Sequence, residues 1–277
     1  KAAKVLSITQ PALSRAILRL EKELGVPLFE RQKRTIILSQ YGRLFLNHVN
    51  KMILEFEEGK QEIQDLLDPE HGTVSIGFLH TLGTHFVPDL IRFFREKHPN
   101  IKFQLHQNNS KLLIEQLEAG EIDLCFNTYR ETKLDVKWVE LLHEELYLIT
   151  PKIHPLAKSK GITLDQIADE PLICFKKNYV LRKITDQLCN EAGFAPQVVF
   201  EGEEVSTISG LVAAGLGVAI VPALKEFDNS KISQIKIKSP KCERIIQMAW
   251  VKGKYLSPAT QLFRRFVMEY FASKQPQ

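Results

Sequence analysis

Residues 40–67 contain no proline, and their apolar side chains fall at a strict 4-3 spacing: Phe45, Val49, Met52, Phe56, Ile63 and Leu66, with Gly59 at the remaining seam position. A narrow seam of this kind favours a partner helix over a lone amphipathic helix lying on its own domain. Ser39 is the N-cap candidate, and Pro69 follows the run. Gly59 marks either a close helix approach or a local weakness of about 1 kcal/mol relative to alanine. A rod this long divides the 277 residues into a short leading module and a long trailing one.

The leading module is basic. Residues 1–51 carry ten Lys/Arg against three Asp/Glu, and the remainder 27 against 30, so the net charge of +4 conceals a positive end. A nucleic-acid-binding module requires such an asymmetry, although a basic solvated face also produces it. The segment up to Gly25 reads as two helices joined by a tight turn. Ala2, Ala3 and Leu6 belong to the first; Thr9 caps the second, Pro11 sits in its first turn, and Gly25 stops it. Leu13, Ile17, Leu20 and Leu24 form one apolar stripe, while Gln10, Pro11, Ser14, Arg15, Leu18 and Lys22 lie opposite. Small polar and basic residues near a helix N-terminus suit a major groove, where Gln and Arg can each bond a base edge in bidentate fashion. On periodicity alone, a helix in any two-helix corner fits as well.

Beyond the hinge-like break at Asp68-Pro69-Glu70-His71-Gly72, strands and helices alternate. Strands are expected at 73–78, 101–106, 122–126, 145–150, 172–175, 197–201, 218–221 and 245–251. Helices are expected at 86–97, 112–119, 181–192, 207–214 and 258–271. This is the pattern of open parallel sheets covered by helices, in two groups splitting near Thr150. Residues 72–150 with 252–277 would form one subdomain and 151–251 the other, the strand 245–251 crossing back so that the last helix joins the first. In such sheets a ligand lies beyond the carboxyl ends of the strands. Those ends supply Leu79, His80 and Thr81, Asn127 and Thr128, Lys176, Lys177 and Asn178, and Glu201, Gly202 and Glu203, with Arg182 close by. Thr81 either donates a hydroxyl to a ligand or caps a helix; His80 is a neutral donor or a bystander; Lys177 and Arg182 pair a carboxylate or are simply solvated. A small organic acid is the ligand these cations and helix N-termini suggest.

No H-E-x-x-H, G-x-x-x-x-G-K or G-x-S-x-G is present, and Asp123 with Glu201 is the nearest thing to a carboxylate pair, so an enzyme is not expected. A solute-binding protein of the same α/β fold and an architectural DNA binder are the rival readings. Cys125, Cys174, Cys189 and Cys242 are scattered and read as core residues rather than a disulfide or zinc site, a redox pair being the alternative. No apolar run reaches the roughly 20 residues that span a bilayer and no signal peptide is recognisable, so a cytoplasmic address is expected, with no membrane partner, cofactor or metal.

The run Ala2-Ala3-x-x-Leu6-x-x-Thr9-Gln10-Pro11-Ala12-Leu13-Ser14-x-x-Ile17-x-x-Leu20-Glu21-x-x-Leu24-Gly25-x-x-Leu28-Phe29-x-Arg31 resembles, without a gap, the winged helix-turn-helix of LysR-type transcriptional regulators. The resemblance continues through Gly120-x-Ile122-Asp123-Leu124, His154-Pro155-Leu156-Ala157 and Gly210-Leu211-Val212-Ala213-Ala214-Gly215-Leu216-Gly217-Val218, and so spans nearly the whole chain. It implies a mixed fold. Residues 1–39 would be a winged helix-turn-helix whose first helix is missing here, and residues 40–68 a linker and dimerisation helix. An α/β effector region of two Rossmann-like subdomains, similar to type 2 periplasmic binding proteins, would follow. It further implies that Gln10, Pro11, Ser14 and Arg15 face the groove and that Arg31 reaches a phosphate. Residues 32–38 would be the wing, with Lys33 and Arg34 on the DNA backbone. The implied partners are operator DNA, a small-molecule effector in the strand-end cleft, a second copy through the linker helix (a tetramer staying open) and RNA polymerase.

Overall fold

The computed structural model describes residues 2–32, 35–67, 71–128, 132, 134–224 and 230–273, and the chain divides into two compact units, Lys1–Gln61 and Glu62–Gln277. In the first, α1 (Ala2–Val5) turns into α2 (Gln10–Leu24), whose ends form as the sequence leads one to expect. Thr9 is extended and its hydroxyl accepts the Ala12 N–H at 3.4 Å, Pro11 occupies the first turn, and Gly25 closes the helix at φ 71°. Leu13, Ile17 and Leu20 are half-buried, whereas Leu24 at the end of the stripe is exposed.

Glu21 fixes the chain reversal after α2: its carboxylate accepts the N–H groups of Leu28 (2.7 Å) and Phe29 (3.1 Å). An antiparallel hairpin follows, β1 (Phe29–Gln32) on β2 (Thr35–Leu38), so the wing begins three residues before the expected start at Gln32. Lys33 and Arg34 lie outside the described residues. Ser39 is buried; its hydroxyl donates to the Pro27 carbonyl at 2.6 Å and accepts the Gly42 N–H at 2.9 Å, which caps α3 (Gln40–Leu67). A Cβ on Gly42 would stand 2.0 Å from the Leu28 carbonyl oxygen, so only glycine lets α3 start there. Along the seam Phe45 and Val49 are half-buried, but Met52, Phe56 and Ile63 are each more than 60% exposed.

The second unit opens with β3 (Thr73–Leu79), α4 (Phe86–Arg95), β4 (Lys102–Asn108), α5 (Ser110–Ala119) and β5 (Leu124–Asn127), β3 lying parallel between β4 and β5. Then come β6 (Val136–Pro151), β7 (Ile162–Thr163), β8 (Pro171–Phe175), α6 (Val180–Glu191), β9 (Gln197–Gly202), α7 (Val205–Ala213) and β10 (Ala219–Pro222). The chain ends with β11 (Ile232–Ser239), β12 (Glu243–Val251) and α8 (Pro258–Ala272). The expected all-parallel sheets are corrected to mixed ones. β12 runs antiparallel to β5 and β6, and β6 is also antiparallel to β10 and β11. Three pieces of strand in this unit escaped the sequence reading: the leading half of β6, the short β7 and the whole of β11. Ile232, Ile235 and Ile237 are buried with exposed lysines between or beside them, the trace of a one-faced strand.

Two hydrophobic cores result. Phe94, Phe126 and Phe263 anchor the first, with β3, β5 and α8; Leu148, Ile173 and Val212 belong to the second. β6 passes from one to the other: Leu141 packs in the first core, Leu146 and Leu148 in the second. The chain returns at β12: Cys242, the residue before that strand, packs in the second core, and Ile246, Met248 and Ala249 within it pack in the first. The expected boundaries at 150/151 and 251/252 therefore move several residues earlier in both strands, because continuous ladders rather than loops connect the lobes.

Gly42→Ala should destabilise the first unit by about 1–3 kcal/mol through overpacking. Gly59→Ala meets nothing within 4 Å and should instead stabilise α3 by about 1 kcal/mol. Urea unfolding followed by helix content measures both, and loss of self-association in Gly59→Ala would mark a close helix approach there.

Candidate functional sites

In the first unit, the residues expected to read DNA stand on the solvent side of α2. Gln10, Pro11, Ser14 and Arg15 are all exposed, opposite the half-buried stripe. No acidic side chain sits in the first turn, so the positive end of the helix is uncompensated. The Arg15 Nε donates to the Pro11 carbonyl at 3.4 Å, which lays the guanidinium along the N-terminal turn. Arg31 is exposed on β1, opposite Ile36. The geometry is that of a helix end offering amide, hydroxyl and guanidinium donors to an anionic, edge-bearing partner.

In the second unit, the carboxyl ends of the strands converge on a partly open cavity of about 30 Å³, walled by Thr81, Ser110, Thr128 and Arg244 on one side and Phe175, Tyr179 and Leu181 on the other. Arg244 is 3% exposed. Its Nε donates to Glu144 at 2.5 Å and an Nη to the Thr81 hydroxyl at 2.7 Å, so Thr81 neither caps a helix nor stands idle: it orients the guanidinium. Among the described residues those are the partners of two of the five guanidinium N–H donors. Ser110, at the first turn of α5, and Thr128 each present a buried hydroxyl with no hydrogen-bond partner among the described residues. An unsatisfied buried hydroxyl costs about 1–3 kcal/mol, and two beside an arginine make a cradle for an acceptor.

Several expected ligand contacts are corrected. Asn127 is fully buried: its amide donates to the Ser110 carbonyl at 3.0 Å and its oxygen accepts the Thr128 N–H at 2.8 Å. It positions the two hydroxyl-bearing residues without facing the cavity. Arg182 is committed to both oxygens of Asp186 (2.8 and 3.0 Å), to the Phe175 carbonyl (3.2 Å) and to Glu201 (2.5 Å), so Arg182 and Glu201 neutralise each other. Lys177 and Asn178 are exposed on the β8–α6 loop and line no cavity described here; the inward residue of that loop is Tyr179. Asp123 holds the Ser75 N–H and the Thr260 hydroxyl, far in role from Glu201.

His80 reaches across to the second lobe, its Nδ1 2.9 Å from Glu204. Together with Thr81 it separates the small cavity from a larger one of about 520 Å³, lined also by His85, Ser206, Ser209 and Lys231. Glu203 lines the small cavity and pairs with Lys176, and the Tyr179 hydroxyl lies 3.4 Å away. The hydrogen bond and charge of Lys176 hold the Glu203 carboxyl below the usual carboxylate range. Arg244, Ser110 and Tyr179 were missed in the sequence, whereas Glu203 stood at the strand end that also supplied Glu201. Arg244 had a signal: with Ile246 and Met248 it occupies alternate positions on the buried face of β12. The four cysteines are free and buried, and burial pushes the Cys125, Cys189 and Cys242 thiols up to about 12 and Cys174 to about 11, as for core residues. No described helix is long and apolar enough to cross a membrane.

Both units of the chain have relatives among known proteins. A family model described as the LysR substrate binding domain matches residues 67–272, and one described as the bacterial regulatory helix-turn-helix protein, lysR family, matches residues 1–43. The chain is 52% identical over 272 residues to the uncharacterized HTH-type transcriptional regulator YybE of Bacillus subtilis (strain 168), across 98% of this chain and 93% of that one. It is similar to the effector binding domain of QuiR in complex with shikimate, at 32% identity and a TM-score of 0.70, over 73% of this chain and 98% of that domain. Full-length CbnR complexed with its target DNA shares the fold at 23% identity and a TM-score of 0.77, over 97% of this chain and 92% of that one. The chain belongs to the LysR family of DNA-binding transcription regulators with an effector-binding domain.

Proposed function

We propose that residues 1–39 read an operator, that residues 40–68 pair two copies, and that the remainder senses a small organic acid in the cavity beside Arg244. Gln10, Pro11, Ser14 and Arg15 enter the major groove, and Arg31, with the wing residues Lys33 and Arg34, contacts phosphates. The observation that carries this reading is the two-faced α2: an exposed polar N-terminal face with no acidic residue in its first turn, backed by a half-buried apolar stripe. Dimerisation is supported by Met52, Phe56 and Ile63, whose exposed side chains gain from burial against a second helix. An acidic effector is supported by Arg244, the two unpartnered hydroxyls and the QuiR relative, whose bound shikimate is a hydroxylated carboxylate. The chain acts in the cytoplasm, as a regulator with no catalysis of its own, and RNA polymerase is the further partner at a promoter. A cavity of about 30 Å³ holds water rather than an acid, so the lobes part to admit the effector, and its contacts with both lobes then shift the population of lobe arrangements.

Arg15→Ala should weaken operator binding by about 1–3 kcal/mol and relax the base preference at its position. Arg31→Ala should weaken all sequences alike and reduce the log-log salt slope by about 0.9. Titration of promoter fragments at several salt concentrations measures both, and an absence of sequence preference at every salt would overturn the DNA reading. Because Glu201 serves Arg182, Glu201→Gln should lower unfolding stability by about 1–2 kcal/mol while leaving effector affinity unchanged.

A further inference from the structure

Building on the effector reading above, we infer that the cavity takes a small monocarboxylate bearing hydrogen-bond donors at its far end, and that Glu203 is the residue that selects against a second carboxylate. The cavity has one cationic lining residue and one fully anionic one. On one wall Arg244 offers only donors, and the Ser110 and Thr128 hydroxyls beside it can donate as well, an arrangement that fits a single carboxylate. Its charge is already shared with Glu144, which leaves little to balance a dianion. Glu203 lines the opposing lobe, where it is an acceptor-only group. Lys176 keeps it ionised but does not itself line the cavity, and Tyr179 is the other hydrogen-bond partner of that carboxylate. A ligand whose carboxylate enters the Arg244 cradle therefore presents its other end to a fixed negative charge. A hydroxyl or ammonium there gains a hydrogen bond, and a second carboxylate meets like charge.

The test compares four-carbon acids on the full chain by thermal shift and calorimetric titration: 4-hydroxybutyrate, 4-aminobutyrate, butyrate and succinate. The hydroxy or amino acid should bind more tightly than butyrate, and succinate least. Glu203→Gln should remove the discrimination against succinate, a change of roughly three- to tenfold because the side chain is half exposed. The exposed Lys176 pair contributes little to stability, so this variant folds. Ser110→Ala should weaken every acid alike. Succinate binding the wild type as well as the hydroxy acid, or an unchanged order in Glu203→Gln, overturns the selectivity and leaves the effector reading standing. Failure of all four acids to bind at high millimolar concentration overturns the carboxylate reading of the cavity itself, and the selectivity with it.

Discussion

Everything in the second unit depends on one ladder, the antiparallel pairing of β6 with β12 from Val136–Val251 to Glu145–Glu243. These strands are the only covalent path that both cores share as continuous sheet among the described residues, and at their crossing Glu144 and Arg244 stand directly opposite. A guanidinium that is 3% exposed would carry a heavy desolvation cost without its carboxylate and the Thr81 hydroxyl. A buried pair of this kind is generally no more stabilising than apolar residues of the same volume. Its place beside two hydroxyls without partners among the described residues is what the proposed effector reading draws on.

Local rules made the ends of elements legible. Thr9, Pro11 and Gly25 bound α2, and Ser39 starts α3, because capping and positive φ involve residues a few positions apart. The strand and helix alternation from Thr73 onward was legible for the same reason. The direction of the strands was not. Parallel and antiparallel neighbours of a buried strand look alike in the chain, and β11 and the leading half of β6 alternate too irregularly, or too weakly, to stand out. The domain boundary inherited that error, since a loop was expected where a ladder runs through.

The site was legible as a set of loops and illegible as a set of side chains. Strand ends do converge on the cavity, and His80, Thr81 and Thr128 line it. Which neighbour turns inward depends on pairing across long sequence distances. Arg182 finds Glu201 nineteen residues on, and Arg244 finds Glu144 a hundred residues back. The more conspicuous cation was thus spent on structure, and the one that lines the cavity sits one residue before the strand as read from the sequence. Asn127 illustrates the remaining case: a polar strand end that serves the cavity only by fixing Ser110 and Thr128.

The balance between open and closed lobes follows from what crosses between them. The 3-10 turn at His80–Leu82 meets the N-cap of α7 through the contact of His80 with Glu204, with side chains 27% and 45% exposed. A polar contact so open to solvent contributes at most about 1 kcal/mol. Closure is therefore not locked by the protein alone. A ligand that supplies acceptors to Ser110, Thr128 and Arg244 adds contacts of comparable or greater strength, each worth about 1–3 kcal/mol when charged groups take part. On the proposed effector reading, that difference is what lets an acid shift the population of lobe arrangements.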